Sequence, residues 1–232
     1  MSSQGRAGDW PALFETAIRI LAHAEALTGV PPAWSFGGGT ALMLQIDHRE
    51  SHDIDLFLAD PQLLPYLNPG TQGGNLERLP DSYSVEGNSV LKLSFSGLGE
   101  IDFICCADIT DQPTRTQDIR GHNTALETPA EIIAKKVFYR GWSFTPRDMF
   151  DLAAVADRHG DRYVVDALAQ AGRGACAKAL GVVERAVPGF VQSVNDQLLV
   201  RDAARHLVQT AQDTSRRLLA QTLASLPPTS GG

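Results

Sequence analysis

The stretch Trp34–Leu58, WSFGGGTALMLQIDHRESHDIDLFL, decides the fold. Its first residues form a short apolar strand that runs into Gly37, Gly38 and Gly39. ALMLQI then has the composition of the first turns of a helix, opened by Thr40. DIDLFL returns to a period of two, with Ile54, Leu56 and Leu58 on one face and Asp53 and Asp55 on the other. A glycine turn between strand and helix frees backbone N–H groups to face a phosphate, and the helix N-terminus adds partial positive charge. The same run also serves as a plain tight turn. No Gly-Lys-Ser/Thr follows and G-x-G-x-x-G is absent, so neither a Walker loop nor a dinucleotide fingerprint is present. Two carboxylates about 7 Å apart on one strand face repel unless a cation lies between them. Magnesium suits that place, because it takes oxygen ligands and leaves part of its shell to substrate phosphates. A strand end with solvated acids is the alternative.

Upstream of this stretch, DWPALFETAIRILAHAEALTG reads as a helix, with Leu13, Ile18, Leu21 and Ala24 at helical spacing. Asp9 caps its start, and Gly29 with Pro31 and Pro32 stops it. Downstream, residues 59–90 are rich in turn formers and leave room for a short strand or helix. LKLSFS alternates, with Leu91, Leu93 and Phe95 one way and Lys92 and Ser94 the other. Gly97-Leu98-Gly99 offers a hairpin turn into a second strand, EIDFICC. Asp102 lies inside that apolar run and needs a partner, since an unpaired buried carboxylate is costly. A structural ion pair would satisfy it. So would two metal ions held by three strand-borne carboxylates, the arrangement that phosphoryl transfer uses.

From residue 128 the pattern turns helical. Thr128-Pro129-Ala130-Glu131 fits a capping box with proline at the first helical position, and Thr145-Pro146-Arg147-Asp148 repeats the device. Further amphipathic segments are predicted at about 161–172, 175–187, 189–209 and 211–225, ahead of a frayed tail LPPTSGG. Lys136 falls in the apolar stripe of Ile132, Ile133 and Val137, while Lys135 pairs with Glu131 on the wet side. Asp148 and Asp151 share a stripe with Leu152 and Val155. A lysine and two aspartates on apolar faces of successive helices should meet one another, pinning the bundle, or meet a ligand. Trp34 and Phe36 are expected in the core, and His48 and His52 at the surface.

The expected class is α+β: a mixed sheet flanked by helices in residues 1–126, then a C-terminal helical bundle in residues 127–232. Residues 1–126 hold 7 Lys/Arg against 16 Asp/Glu and residues 127–232 hold 13 against 11, which divides the net charge of −7 into −9 and +2. That balance opposes strong nonspecific binding of nucleic acid, while the mildly basic half can still face something anionic. No run of about 18 apolar residues predicts a membrane span, and MSSQGRAGDW carries no apolar signal-peptide core. Cys105, Cys106 and Cys176 match no metal or disulfide framework and are read as reduced thiols of a cytoplasmic protein.

GGGTALMLQIDHRESHDIDLF resembles the signature of the AbiEii/AbiGii-type nucleotidyltransferases, members of the polymerase-beta-like nucleotidyltransferase superfamily. Gly38, Gly39 and Thr40 match its Gly-Gly-Thr/Ser helix start. Arg49, Ser51, Asp53, Asp55 and Leu56 match its Arg-x-Ser-x-Asp-x-Asp-Leu, and Asp102 matches the later carboxylate. Lys136 in AEIIAKKVFYR, with Arg147, Asp148, Asp151 and Leu152 in PRDMFDLAAV, matches the helices that follow. The resemblance implies a nucleotidyltransferase fold. It also implies transfer of a nucleoside monophosphate from an NTP to an acceptor hydroxyl, with Asp53, Asp55 and Asp102 holding magnesium or manganese. Gly38, Gly39, Thr40, Arg49, Ser51, Lys136 and Asp151 would then bind the nucleotide, with Asp148 orienting Lys136 or acting as base. It implies the toxin of a bacterial toxin–antitoxin or phage-defence system, with tRNA the favoured acceptor, a protein side chain the alternative, and a separately encoded antitoxin as partner. A noncatalytic nucleotide-binding domain and a phosphotransferase on the same fold are the competing readings.

Overall fold

The computed structural model describes residues 9–73 and 76–227. The tail from residue 228 lies outside them. The chain divides into two compact units: residues 1–41, 51–107 and 114–127 in the first, and 42–50, 108–113 and 128–232 in the second.

The first unit is built on a seven-stranded mixed sheet. Its strands are β1 (Trp34–Gly37), β2 (Ile54–Leu58), β3 (Ser82–Glu86), β4 (Val90–Phe95), β5 (Gly99–Cys105), β6 (Thr114–Ile119) and β7 (His122–Glu127). They lie in the order β3-β4-β5-β2-β1-β7-β6. β2 runs parallel to β5, and β1 runs antiparallel to β2 but parallel to β7. Burial follows the expected period: Ile54, Leu56 and Leu58 of β2, Leu91, Leu93 and Phe95 of β4, and Ile101 and Phe103 of β5 are all buried. Against the sheet packs α1 (Trp10–Thr28), with Phe14 and Phe36 ring centroids 5.2 Å apart. Each such large side chain contributes roughly 1.5–3 kcal/mol on leaving water. Asp9 caps α1 by accepting from the Ala12 N–H, and Gly29 closes it in the left-handed region at φ 71°. Ile18 is only partly buried; Phe14, Ala17 and Ile20 take its place in the inward stripe.

Two stretches carry more structure than the sequence specified. The turn-rich stretch 59–90 holds a 3-10 helix at Pro61–Leu67, a single helical turn α3 (Pro69–Gln72) and edge strand β3. The β6–β7 hairpin was unexpected because TRTQDI shows no apolar alternation, being a largely exposed edge strand. Its turn was nonetheless legible in Arg120-Gly121, where both residues take positive φ (55° and 85°), as a tight two-residue hairpin loop requires.

The helix α2 (Gly38–Ile46) begins at Gly38, two residues earlier than expected, and closes at Asp47, a non-glycine residue at φ 45°. The second unit holds the remaining helices: α4 (Pro129–Arg140), α5 (Pro146–His159), α6 (Asp161–Ala171), α7 (Arg173–Arg185), α8 (Pro188–Asn195) and α9 (Leu207–Ser225). α5 is the central one, buried from Asp148 to Ala156. Thr145 and Asp148 form the expected capping box. The one expected at Thr128 is only half made. Thr128 Oγ1 accepts from the Glu131 N–H, but the Glu131 carboxylate accepts instead from the N–H groups of Ile109 and Thr110 and the Thr110 hydroxyl. The helix expected over 189–209 stops at Asn195, and the one expected from 211 starts at Leu207. The chain breaks after Asn195 and pairs as a β-bridge between Val200 and Arg49 before α9 begins. Lys135 does meet Glu131, at 3.4 Å, but both are buried rather than wet, because residues 108–113 cover them. Among the described residues no helix is long and apolar enough to cross a membrane.

Candidate active site

In the first unit the strand pairing aligns a transverse row. Lys92 on β4 is directly opposite Asp102 on β5, Asp102 is in register with Asp55 on β2, and Asp55 is opposite Gly37 on β1. In-register neighbours share a face, so a cation, two acids and a glycine follow one another across four strands. This is the face opposite Ile54, Leu56, Ile101 and Phe103. Asp53 stands just before β2, exposed, and its Oδ1 accepts from the Glu100 N–H at 3.0 Å, which ties it to the start of β5. Asp55 and Asp102 are therefore neighbours on adjacent strands, while the Asp53 carboxylate is held at the Glu100 backbone.

The glycines are required by this packing. Gly38 sits at φ 69°, and a Cβ there would lie 1.8 Å from Asp55 Oδ2. A Cβ at Gly37 would lie 2.1 Å from Glu127 Oε2. Backbone thus approaches carboxylate where any side chain would collide. Thr40 is buried, and its hydroxyl donates to the Asp53 carbonyl at 2.6 Å, fastening the first turn of α2 to the strand entry. What Gly38, Gly39 and Thr40 can turn toward a ligand is their backbone.

The electrostatics of the row are unbalanced. Asp102 has one oxygen, Oδ1, buried without a hydrogen-bond partner, while Oδ2 lies 3.2 Å from Lys92 Nζ. Burial, then the Asp55 charge beside it, pushes its carboxyl up to about 6, and Lys92 only partly opposes this. An orphaned carboxylate oxygen beside a second carboxylate is what a divalent cation bound by hard oxygen ligands would satisfy.

A second cluster forms in the second unit around Asp151, which is fully buried. Its Oδ1 accepts from Arg49 Nε at 2.7 Å and His48 Nε2 at 2.9 Å. Its Oδ2 accepts from Arg49 Nη2 at 2.9 Å and Lys136 Nζ at 2.7 Å. Lys136 Nζ also donates to Asp148 Oδ1 at 2.7 Å. Arg140 donates to that same oxygen, while Asp148 Oδ2 takes the Thr145 N–H and hydroxyl. Burial alone would raise both carboxyls. The Lys136 and Arg140 charges instead hold Asp148 down to about 2, and Arg49 and Lys136 hold Asp151 well below the usual carboxylate range. With their lone pairs filled, neither is suited to take a proton at neutral pH. Asp148 is therefore placed to orient Lys136.

The expectation that His48 is a surface residue is wrong: it is 2% exposed, stacks on Phe150 with ring centroids 6.0 Å apart, and donates to Asp151. Trp34 is partly exposed, while Phe36 is fully buried. Sequence reasoning also passed over Lys92. The hairpin turn at 96–98 puts Phe95 opposite Gly99, and counting back from there puts Lys92 opposite Asp102. That register was available from the turn.

The profile of the family described as nucleotidyl transferase AbiEii toxin, type IV toxin–antitoxin system, matches residues 19–225. The chain belongs to the AbiEii nucleotidyltransferase toxin family. A search of the curated proteins finds no match. Among solved structures, the AbiEii-family chain is similar to MenT4, a nucleotidyltransferase toxin of Mycobacterium tuberculosis H37Rv. Identity is 18%, coverage is 94% of this chain and 85% of that one, and the TM-score is 0.52. It also matches JHP933 of Helicobacter pylori at 14% identity, 93% of each chain and TM-score 0.46. ANT(2")-Ia, solved with adenylyl-2"-tobramycin, matches at 15% identity over 69% of this chain and 96% of that one, with TM-score 0.46. The family establishes this AbiEii chain as a nucleotidyltransferase. The expected fold class, a mixed sheet with helices and a C-terminal helical bundle, is the observed one.

Proposed function

We propose that this AbiEii-family enzyme transfers a nucleoside monophosphate from an NTP to a hydroxyl of tRNA, with magnesium or manganese held by Asp53, Asp55 and Asp102. The observation that carries the reading is the side-by-side placement of Asp55 and Asp102 with the close-packed Gly38 turn. The orphaned Asp102 Oδ1 and the mutual repulsion of the row fit such a cation. When bound there, a divalent cation offsets phosphate charge and makes an acceptor hydroxyl easier to ionise. The backbone N–H groups of Gly38, Gly39 and Thr40, at the start of α2, receive phosphate oxygens. Lys136 has three donors, gives two to Asp148 and Asp151, and offers the third to a phosphate. Arg49 and Ser51 bind the nucleotide less directly, Arg49 by fixing Asp151.

For the acceptor, the supporting feature is the stretch FYRGWSFTPR, 138–147. It contains no acid, and it exposes Phe138, Tyr139, Arg140, Trp142 and Arg147. Trp142 is 72% exposed, and the Phe138 and Tyr139 rings pack edge to face at 4.8 Å. Aromatic rings interleaved with arginines suit stacking against unpaired bases beside a phosphate backbone. The transfer inhibits growth in the cytoplasm, as a toxin restrained by a separately encoded antitoxin, in toxin–antitoxin or phage-defence settings.

The test is incubation of the purified protein with α-labelled or γ-labelled NTP, total tRNA and whole-cell protein, with and without EDTA. EDTA-sensitive α-label on tRNA supports the proposal. Label on protein moves the acceptor, γ-label alone means phosphotransfer, and binding without transfer means a noncatalytic nucleotide-binding domain.

A further inference from the structure

The row on the sheet face contains a cation that the nucleotidyl-transfer reading does not use. Lys92 Nζ is 2.6 Å from Glu100 Oε2 and 3.2 Å from Asp102 Oδ2, so one ammonium is shared between two carboxylates. Ser94 Oγ donates to the other Glu100 oxygen at 3.2 Å and steadies that end. Lys92 thus places a positive charge directly on the carboxylate row. It also touches the Asp102 oxygen that is not the orphaned one, leaving Oδ1 unengaged.

We propose that Lys92 is a positioning residue, the resident counter-charge of the carboxylate row, and that its division between Glu100 and Asp102 sets how tightly the row holds a divalent cation. This rests on the cation-binding reading of Asp53, Asp55 and Asp102. The physical reason is that a fixed charge and an incoming cation compete for the same carboxylate potential. A unit charge a few ångströms from a divalent ion weakens its binding by roughly tenfold or more, even at water-like dielectric. Glu100 draws Lys92 toward itself; without Glu100, the ammonium falls wholly to Asp102 and opposes the cation harder.

The test is calorimetric titration of the full chain with manganese or magnesium chloride alone, without nucleotide, alongside thermal melting in EDTA. Lys92→Met is expected to bind the ion roughly tenfold tighter while melting lower in EDTA, because the row has lost its counter-charge. Glu100→Gln is expected to bind several-fold weaker, Lys92→Arg near wild type. The Glu100→Gln effect should shrink when Lys92→Met is already present, which separates an action through Lys92 from the loss of a nearby negative charge. If Lys92→Met melts lower but binds the ion no tighter, Lys92 is only a strand-pinning ion pair and the proposal is overturned. Should Lys92→Met not fold, an unchanged or tighter affinity in Glu100→Gln overturns it equally. A wild-type protein that takes up no ion defeats the cation reading itself, whereas wild-type uptake with unaltered variants defeats only the role of Lys92.

Discussion

Replacing Asp151 by asparagine keeps the shape of the side chain and removes its charge. In the native protein that charge is fully buried and accepts four hydrogen bonds, from Arg49 twice, His48 and Lys136. The Arg49 and Lys136 side chains are themselves only 4% and 11% exposed. Lys136 keeps Asp148, while Arg49 loses both of its contacts to the Asp151 charge. Breaking a buried pair by removing one partner costs about 3–5 kcal/mol, because an uncompensated charge stays in the interior. For a chain of this size that corresponds to a fall in melting temperature of roughly 6–20 °C. Urea unfolding followed by far-ultraviolet circular dichroism measures it directly. Asp166→Asn, in the solvent-exposed pair with Arg162, is the internal control and should cost no more than about 0.5 kcal/mol. A loss below about 1 kcal/mol for Asp151→Asn would show that the cluster is screened like a surface pair, and the electrostatic reasoning about it would fail.

The same cluster fixes a pH dependence. Asp148 is depressed to about 2 and Asp151 also lies below its ordinary value, so their stabilisation is fully present above the unfolded carboxyl range near 4. It is lost as pH falls from about 4 toward 2, and acid titration of the melting temperature should steepen there and flatten in Asp148→Asn. Asp53→Ala and Asp55→Ala should abolish nucleotidyl transfer, measured with α-labelled NTP, while leaving the circular dichroism spectrum unchanged; turnover at the wild-type rate in either would move the site elsewhere. Trp142→Ala combined with Phe138→Ala should weaken binding of single-stranded RNA by at least tenfold in filter binding, at about 1–3 kcal/mol per stacked base, without altering NTP binding. Equal RNA affinity in that variant would remove the stretch 138–147 from the acceptor surface.

Much of the first unit was legible locally. Ile54, Leu56 and Leu58 turned inward because a strand alternates, and Leu91, Leu93 and Phe95 for the same reason. The caps at Asp9 and Thr145 follow from side chains that reach only three residues ahead. Where a cap competed with a distant partner, as Glu131 does with Ile109 and Thr110, local reasoning failed. His48 and Lys135 are polar residues in unremarkable surroundings along the chain, and nothing within a few positions of either announces the residues that bury it.

What the sequence by itself determined is the set of elements and the chemistry on each: a glycine turn, acids on strands, a lysine and two aspartates on helices, and the family signature that names the reaction. Only the tertiary structure decided which of those groups meet. Asp55 and Asp102 are neighbours because β2 and β5 pair in parallel across 47 positions of chain, and Arg49 meets Asp151 across 102. Periodicity and capping are forces between residues a few positions apart, so they can be read along the chain. Sheet order and the pairing of buried charges depend on how distant surfaces exclude water together, and no local pattern carries that information.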